Sequence, residues 1–164
     1  MANALPISLD QAKRHLRVGD LESDDTLILE DLEMAISIAE TYANRRFFPQ
    51  TLTDTISPID GKIYLSDIAS VNAVTDSEGN EVAFTASTSA LLTTVSVDAT
   101  LDSVIIEYSV GYTSETLPGA VRAAILLILG TLYDNEADVV VGRSVSQIPM
   151  TAKSLLMPYR IVNV

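Results

Sequence analysis

The period of the hydrophobic pattern changes twice along this chain, and the order of these patterns restricts the fold more than any other feature. Apolar residues recur at helical spacing over residues 8–47, give way to short β-prone runs over residues 51–113, and return to helical spacing after Pro118. Helices that enclose a run of strands belong to the α+β class. We therefore predict a mainly helical α+β fold: a small bundle of about four helices with a β-rich insert (hairpins or a small sheet) between helices 2 and 3.

Capping signals indicate where the helices begin and end. Ser8 and Gln11 form a capping box, in which the hydroxyl accepts from the amide three residues later and the glutamine side chain reaches back. Gly19 is placed to end the first helix, and Pro49 to close the second. The predicted helices lie at about residues 8–18, 25–47, 118–136 and 149–157.

The third predicted helix is apolar on nearly every side. Over Ala120–Tyr133 the only charged residue is Arg122. A helix of this kind has no polar face to turn toward water. It must therefore lie at the centre of a core or of an assembly.

The β-rich insert, at about residues 51–113, holds six predicted strands. Val104–Ile106 is apolar on both faces and should belong to the best-buried strand, whereas the small polar stretch Ala86–Ala90 predicts a loop. A chain of 164 residues has enough apolar material for one core, so residues 1–164 are expected to form a single domain. The predicted strands are Thr53–Ile56, Lys62–Leu65, Val71–Thr75, Val82–Thr85, Thr93–Val97 and Val104–Tyr108.

The charge is strongly acidic and unevenly distributed. There are 22 acidic and 10 basic residues, for a net charge of −12, and residues 51–113 alone carry nine acids against one base, Lys62. This balance argues against nonspecific binding of nucleic acid or of an anionic membrane, which both need clustered Lys and Arg. No membrane-length apolar run and no secretory signal are visible, and the absence of cysteine is typical of a reducing compartment.

Catalytic and metal-binding patterns are missing from the sequence. His15 is the only histidine, which leaves a triad or a multi-histidine metal site without partners, and it is expected on a helix surface. The acidic run Asp20, Glu22, Asp24 and Asp25 resembles the start of a calcium loop. Counted from Asp20, however, the sixth position is Asp25, where that loop needs Gly, and the twelfth is Asp31, where it needs Glu. These acids suit the N-terminus of helix 2 better, with Asp24 or Asp25 as its cap.

Other chemical motifs are equally weak. No glycine-rich phosphate loop or nucleophile elbow occurs, and Asp98 and Asp102 flank a turn, where acidic residues are common. Arg45 and Arg46 suit the charge at a helix C-terminus, and a contact with phosphate or a partner's carboxylate is the alternative. We therefore expect no enzyme activity, no cofactor and no metal.

The apolar chain end points to an interaction. Residues 161–164 read Ile-Val-Asn-Val, whereas fraying ends are usually polar. Two interpretations stay open: the tail docks on a partner or another copy, or it packs on its own core.

Three stretches of the sequence together resemble the head–tail connector (adaptor, or head-completion) family of long-tailed double-stranded DNA bacteriophages. The first is an opening "SL..AK.HLR" helix, an acidic loop and a helix that ends near arginine; the second is a strand ending in "GY" followed by "P.A...AI"; the third is a closing "P......LL.PYR". They correspond to Ser8–Arg17 with Asp24-Asp25 and Ala43–Phe47, to Val104–Tyr112 with Leu117–Leu127 and Leu132–Asn135, and to Ile148–Met150 with Leu155-Leu156 and Pro158–Ile161. One departure is Asn135-Glu136-Ala137, where the family often shows Asn-Arg-Glu.

The resemblance implies a structural virion protein at the head–tail interface, assembled in the cytoplasm of the bacterial host. It implies a homo-oligomeric ring, dodecameric like the portal, that binds the portal vertex, extends the DNA channel and offers a docking platform to the stopper or tail-completion protein. DNA passes through without sequence-specific binding, and no membrane is involved. The alternatives are another neck or tail-completion ring, or a monomeric cytosolic protein-binding module.

The same resemblance suggests where the contacts lie. The portal-facing candidates are Pro158, Tyr159, Arg160, Ile161, Val162 and Val164. Tyrosine and arginine are enriched among interface residues that carry binding energy. The candidates for ring or tail contacts are Arg45, Arg46, Glu78, Gly79, Asn80, Val140, Gly142 and Arg143, the last three in a predicted loop or short hairpin over Asp138–Ser146.

Overall fold

The structure, a computed structural model, describes residues 5–19, 24–89, 92–98, 100–134 and 148–161. The described chain forms two compact units. Phe48–Tyr112 forms a β unit, and the residues on either side of it in sequence form a helical unit. A single domain over residues 1–164 stays a prediction.

The element order confirms the predicted α+β class. The described residues contain four α-helices, with the strands between the second and the third. The helices are α1 (Leu9–Leu16), α2 (Asp25–Ala43), α3 (Gly119–Asp134) and α4 (Met150–Leu156), the last followed by a 3-10 turn (Met157–Tyr159). The strands are β1 (Gln50–Ile56), β2 (Lys62–Ser66), β3 (Ser70–Asp76), β4 (Thr85–Ser89), β5 (Leu92–Ser96) and β6 (Val104–Val110).

The first two helices end earlier than predicted. α1 stops at Leu16 and α2 at Ala43, because Arg17 (φ 60°) and Asn44 (φ 50°) take the left-handed conformation. The amide after each of these residues then donates to a carbonyl of the last helical turn, at 3.4 Å in α1 and 3.2 Å in α2, as in a Schellman motif. Gly19 and Pro49 therefore lie beyond the helices that they were expected to end.

The two helix starts differ in how they are capped. Ser8 Oγ accepts from the Gln11 amide at 3.3 Å, which confirms that half of the capping box. The other half is not formed, since Gln11 Oε1 is buried without a hydrogen-bond partner among the described residues. Asp24 stands at the N-cap of α2, but its side chain makes no cap bond there and accepts from the Tyr133 hydroxyl at 3.1 Å.

The core of the helical unit is centred on α3, as its composition predicts. α3 packs against α1, α2 and α4. Alanines on α2 and α3 let the helices approach closely, and larger side chains fill the remaining space. The fully buried residues here include Ile28, Leu32, Ala35 and Ala39 of α2, Val121, Ala124, Ile125 and Leu129 of α3, and Ala152 and Leu156 of α4.

The β unit contains two three-stranded antiparallel sheets. We call them sheet A, with strand order β1-β6-β3, and sheet B, with strand order β2-β5-β4. Their inward side chains share one hydrophobic cluster, which includes Ile63 and Val95 from sheet B and Val74, Val104 and Ile106 from sheet A. β6 is central in sheet A and is the best-buried of the described strands, as predicted, although Ile105 on its other face is half-buried.

One predicted strand is displaced. Val82–Thr85 was expected to pair and Ala86–Ala90 to form a loop, yet residues 82–84 form no regular strand and β4 covers Thr85–Ser89. Val82 and Phe84 are apolar because they pack against the hydrophobic cluster, not because they lie in a strand. The polar strand itself is exposed along its whole length and so carries no hydrophobic alternation.

Candidate assembly surfaces

The described part of the C-terminal segment is attached to its own helical unit. The Ile161 amide donates to the Ala43 carbonyl at 2.8 Å, and the Ile161 carbonyl accepts from Asn44 Nδ2 at 3.3 Å. Both partners belong to the end of α2, where the last carbonyls of a helix have no partner within the helix. This attachment fixes the position of Ile161 at the end of α2.

The predicted portal-facing residues differ in how much of them reaches solvent. Pro158 and Arg160 are exposed, and Tyr159 and Ile161 are half-buried. The Arg160 guanidinium lies 5.6 Å from the centroid of the Tyr42 ring, a cation–π arrangement. Val162 and Val164 lie outside the described residues.

The arginine pair follows α2, and its second member, Arg46, is paired with a largely buried acid. Glu40 Oε1 accepts from the Phe47 amide at 2.6 Å, and Glu40 Oε2 forms an ion pair with Arg46 Nη1 at 3.5 Å. The Glu40 side chain is only 13% exposed, whereas that of Arg46 is 62% exposed. Glu40 therefore shapes the exit from α2, and Arg46 presents a partly neutralised guanidinium to solvent. Arg45 takes part in contacts of its own.

The predicted contact turn at residues 78–80 is an ordered structure. Asp76 Oδ1 accepts from the amides of Glu78 and Asn80, both at 2.9 Å, and Asp76 Oδ2 from Asn80 Nδ2 at 2.9 Å. The bond from the Asn80 side chain is the main cause that lowers the pKa of Asp76. Glu78, Gly79 and Asn80 are all exposed, with Gly79 at φ 88°. Val140, Gly142 and Arg143, within the predicted Asp138–Ser146 loop, lie outside the described residues.

Sequence reasoning missed a basic cluster at the end of α1. Lys13 forms an ion pair with Asp25, and Arg14 Nε donates to the Asp10 carbonyl at 3.1 Å. Together with Arg17 these side chains line a surface groove. The cluster could have been predicted from the sequence, since three of the ten basic residues fall within residues 13–17.

The remaining candidates have structural explanations. Asp98 accepts from the amide and hydroxyl of Thr100, at 3.0 and 2.9 Å, and the amide bond is the main cause that lowers the pKa of Asp98. His15 is exposed on α1, as expected. Within the described ranges, no group of His, Asp and Glu is arranged to hold a metal ion, and no helix is long and apolar enough to cross a membrane.

The exposed features of the described residues are Pro158 and Arg160 of the C-terminal segment, the turn at Glu78, the groove beside α1 and, in sheet B, an open sheet face. Surfaces of these kinds are typical of proteins that act by assembly. The family model for the phage gp6-like head-tail connector protein matches residues 6–90, more than half of the chain. The chain therefore belongs to this head–tail connector family, as the sequence resemblance indicated.

Solved structures of phage-like particles share the whole fold. A chain of the virion of the native gene transfer agent (GTA) particle superposes with a TM-score of 0.73 at 21% identity, covering 99% of this chain and 95% of that one. A chain from the neck of the empty GTA particle, computed with C6 symmetry, gives 0.72 at 20% identity, covering 97% and 91%. A chain from the neck of the native GTA particle, computed with C12 symmetry, gives 0.68 at 17% identity, covering 98% and 91%. A search of curated protein sequences finds no match.

Proposed function

We propose that this chain forms a closed ring of identical copies between the head and the tail of a phage-like particle. The observation that carries the proposal is the family match over residues 6–90, joined to a likeness in fold to neck chains over nearly the whole length. The ring has twelve copies, like the portal that it binds, and it catalyses no reaction. It extends the DNA channel and offers the platform on which the stopper or tail-completion protein docks.

The charge suits a channel protein. The whole chain carries a net charge of −12, and residues 51–113 carry nine acids and one base. Acidic side chains that face a channel repel DNA phosphates at short range, so the genome slides through without being held.

The portal contact is assigned to the C-terminal segment. Its outer side chains, Pro158 and Arg160, are exposed, while the backbone of Ile161 is bound to the end of α2. A rigid attachment next to an apolar chain end lowers the entropy lost when that end is ordered on a partner. Val162 and Val164 would supply the apolar part of the contact, and Arg160 its charged part.

Removal of residues 162–164 tests this assignment without disturbing the attachment. We expect the shortened chain to keep its thermal transition within a degree or two of the full chain, because both Ile161 bonds are retained. Capture on immobilised portal protein should fall by at least tenfold. The matched control is Met150→Ser, an 85% exposed methionine at the start of α4, which should bind the portal normally.

Each outcome decides the assignment. Normal portal capture by the shortened chain would remove the tail from the interface. Failure of the full chain to bind any portal, with incorporation elsewhere in the particle, would favour another neck or tail-completion ring. A chain that is absent from particles and binds one cellular protein would favour the monomeric binding module.

A further inference from the structure

One face of sheet B is open to solvent. Ile63, Leu65, Thr93 and Val95 point to its buried side. The register places nine other residues together on the opposite side, and none of them is buried. This outer face of sheet B consists of Lys62, Tyr64, Ser66, Thr85, Ser87, Ser89, Leu92, Thr94 and Ser96.

Two large apolar side chains stand on the outer face of sheet B. Tyr64 is 55% exposed and Leu92 is 46% exposed. Tyr64 lies opposite Thr94, and Leu92 opposite Ser66, so the two are diagonal neighbours on adjacent strands. Serine and threonine surround them. A rigid aromatic residue beside a leucine, within a polar surround, is typical of a protein-binding surface.

The outer face of sheet B continues into an unprotected edge. Among the described strands β4 pairs only with β5, and all five of its residues are exposed. Natural edge strands are usually guarded by lysine, proline, a bulge or an inward charge. The sequence of β4, Thr-Ala-Ser-Thr-Ser, contains none of these residues, and its pairing with β5 is regular. Its free edge can therefore accept main-chain hydrogen bonds from another extended segment.

The charge distribution indicates what the outer face of sheet B accepts. Lys62 is its only charged residue, and residues 82–97 contain no charge at all, although the β unit carries nine acids. Like charges placed opposite one another across an interface cost several kcal/mol. This neutral surface is therefore a place where a second copy of the same acidic chain can approach the β unit without repulsion.

We propose that a second copy of this chain docks on the outer face of sheet B and along the free edge of β4. The inference deepens the proposed function and rests on it, because it names the contact between neighbouring copies of the ring. Tyr64 and Leu92 supply the apolar anchors, and β4 supplies the backbone hydrogen bonds. The face of one copy meets a different surface of the next, which is the kind of contact that closes a ring.

Two double variants test this contact in the full-length chain. Tyr64→Ser with Leu92→Ser removes the anchors, and Ser87→Glu with Ser89→Glu adds like charge beside the edge. Each should weaken self-association at least tenfold, measured by analytical ultracentrifugation and as ring formation on the portal. The matched control, Ser57→Glu with Thr51→Glu, adds the same charge to exposed positions of the β unit outside sheet B and should associate as the parent does.

Cross-linking provides a second measurement that does not depend on a loss of binding. The chain has no cysteine, so Ser87→Cys can be labelled at one site with a thiol-directed photoreactive group. We expect a covalent adduct between two copies, in concentrated solution or on portal-bearing particles, and none from Ser57→Cys. Adducts to other proteins only, or no adduct in either setting, would overturn the inference.

The outcomes also separate this inference from the proposed function. A ring that forms normally from both double variants would refute the sheet B contact and leave the connector role standing. Self-association through sheet B, in a chain that is absent from the neck, would refute the connector role and leave the contact standing.

Discussion

Gly111 shows at the residue scale why one position of the "GY" sequence motif requires glycine. Its φ is 83°, a conformation that side chains rarely adopt, and a β-carbon added there would collide with the Phe48 carbonyl. Both residues lie in the β unit, where the chain leaves β6 beside the segment that enters β1. The motif thus requires glycine because the backbone of Gly111 lies close to the backbone of Phe48.

Gly111→Ala should lower the free energy of unfolding by about 2–4 kcal/mol, through backbone strain and the collision with Phe48. Gly79→Ala is the matched control: its φ is 88°, but nothing lies within 4 Å of the added carbon. Its loss should be about 1 kcal/mol. Equal losses in urea denaturation would show that the Phe48 contact contributes nothing.

A second residue, Tyr108, makes the stability of the folded state depend on pH. Its hydroxyl donates to Asp54 Oδ2 at 2.5 Å. Burial, followed by the bond to Asp54 and the Asp54 charge, raises the pKa of Tyr108 to about 12 from the ordinary value of 10. Because the folded state holds this proton more tightly, the stabilisation is complete below pH 10 and is lost as the pH rises from 10 to 12.

Tyr108→Phe should remove this part of the alkaline loss. The difference in stability between the parent and Tyr108→Phe should be constant from pH 7 to pH 9 and should shrink from pH 10 to 12, as followed by thermal unfolding. A constant difference for Tyr108→Phe would contradict the role of the Asp54 bond.

At the scale of elements, Asn44 performs two tasks at the end of α2. Its left-handed backbone stops the helix, and its side-chain amide holds the Ile161 carbonyl. Asn44→Gly keeps the first task and removes the second, since glycine adopts this conformation freely. Asn44→Ala removes both.

We expect Asn44→Gly to leave the thermal transition nearly unchanged and to speed hydrogen exchange of the Ile161 amide several-fold. Asn44→Ala should show the same faster exchange and a further loss of about 1 kcal/mol of stability. Unchanged exchange in both variants would show that the C-terminal segment is held by other contacts.

The elements also show how far the sequence could predict the fold. The order of helices and strands, the start of α1 and the burial of α3 were predictable, because hydrophobic period and a side-chain cap are local signals. The ends of α1 and α2 were not, since the left-handed residues that stop these helices are Arg17 and Asn44 and not the glycine that usually marks such an end. β4 was missed because an edge strand exposed on both faces has no buried side to give it a pattern.

The candidate assembly surfaces show the same difference between features with a local sequence signal and features without one. The resemblance correctly indicated the family, and the turn at Glu78 could be read from its glycine. The attachment of Ile161 to α2 joins residues more than a hundred positions apart, and the outer face of sheet B depends on strand pairing. Neither leaves a local signal in one sequence.

At the scale of the whole molecule, identical copies of an acidic chain must overcome their mutual repulsion to assemble. In the proposed ring, neutral and apolar surfaces make this possible: the outer face of sheet B between copies, and the C-terminal segment toward the portal. If charge opposes assembly, ring formation should become more complete as the salt concentration rises from 20 to 300 mM, measured by light scattering. Dissociation over this range would indicate that ion pairs hold the copies together.

All the proposed contacts depend on a closed ring of this chain at the head–tail junction. The most direct measurement is a cryo-electron microscopy reconstruction of the neck of particles that contain it. We predict twelve copies of this fold in one closed ring, in contact with the portal on one side and with the next tail protein on the other. A neck without this chain, or one that holds it as scattered monomers or an open assembly, would contradict the account.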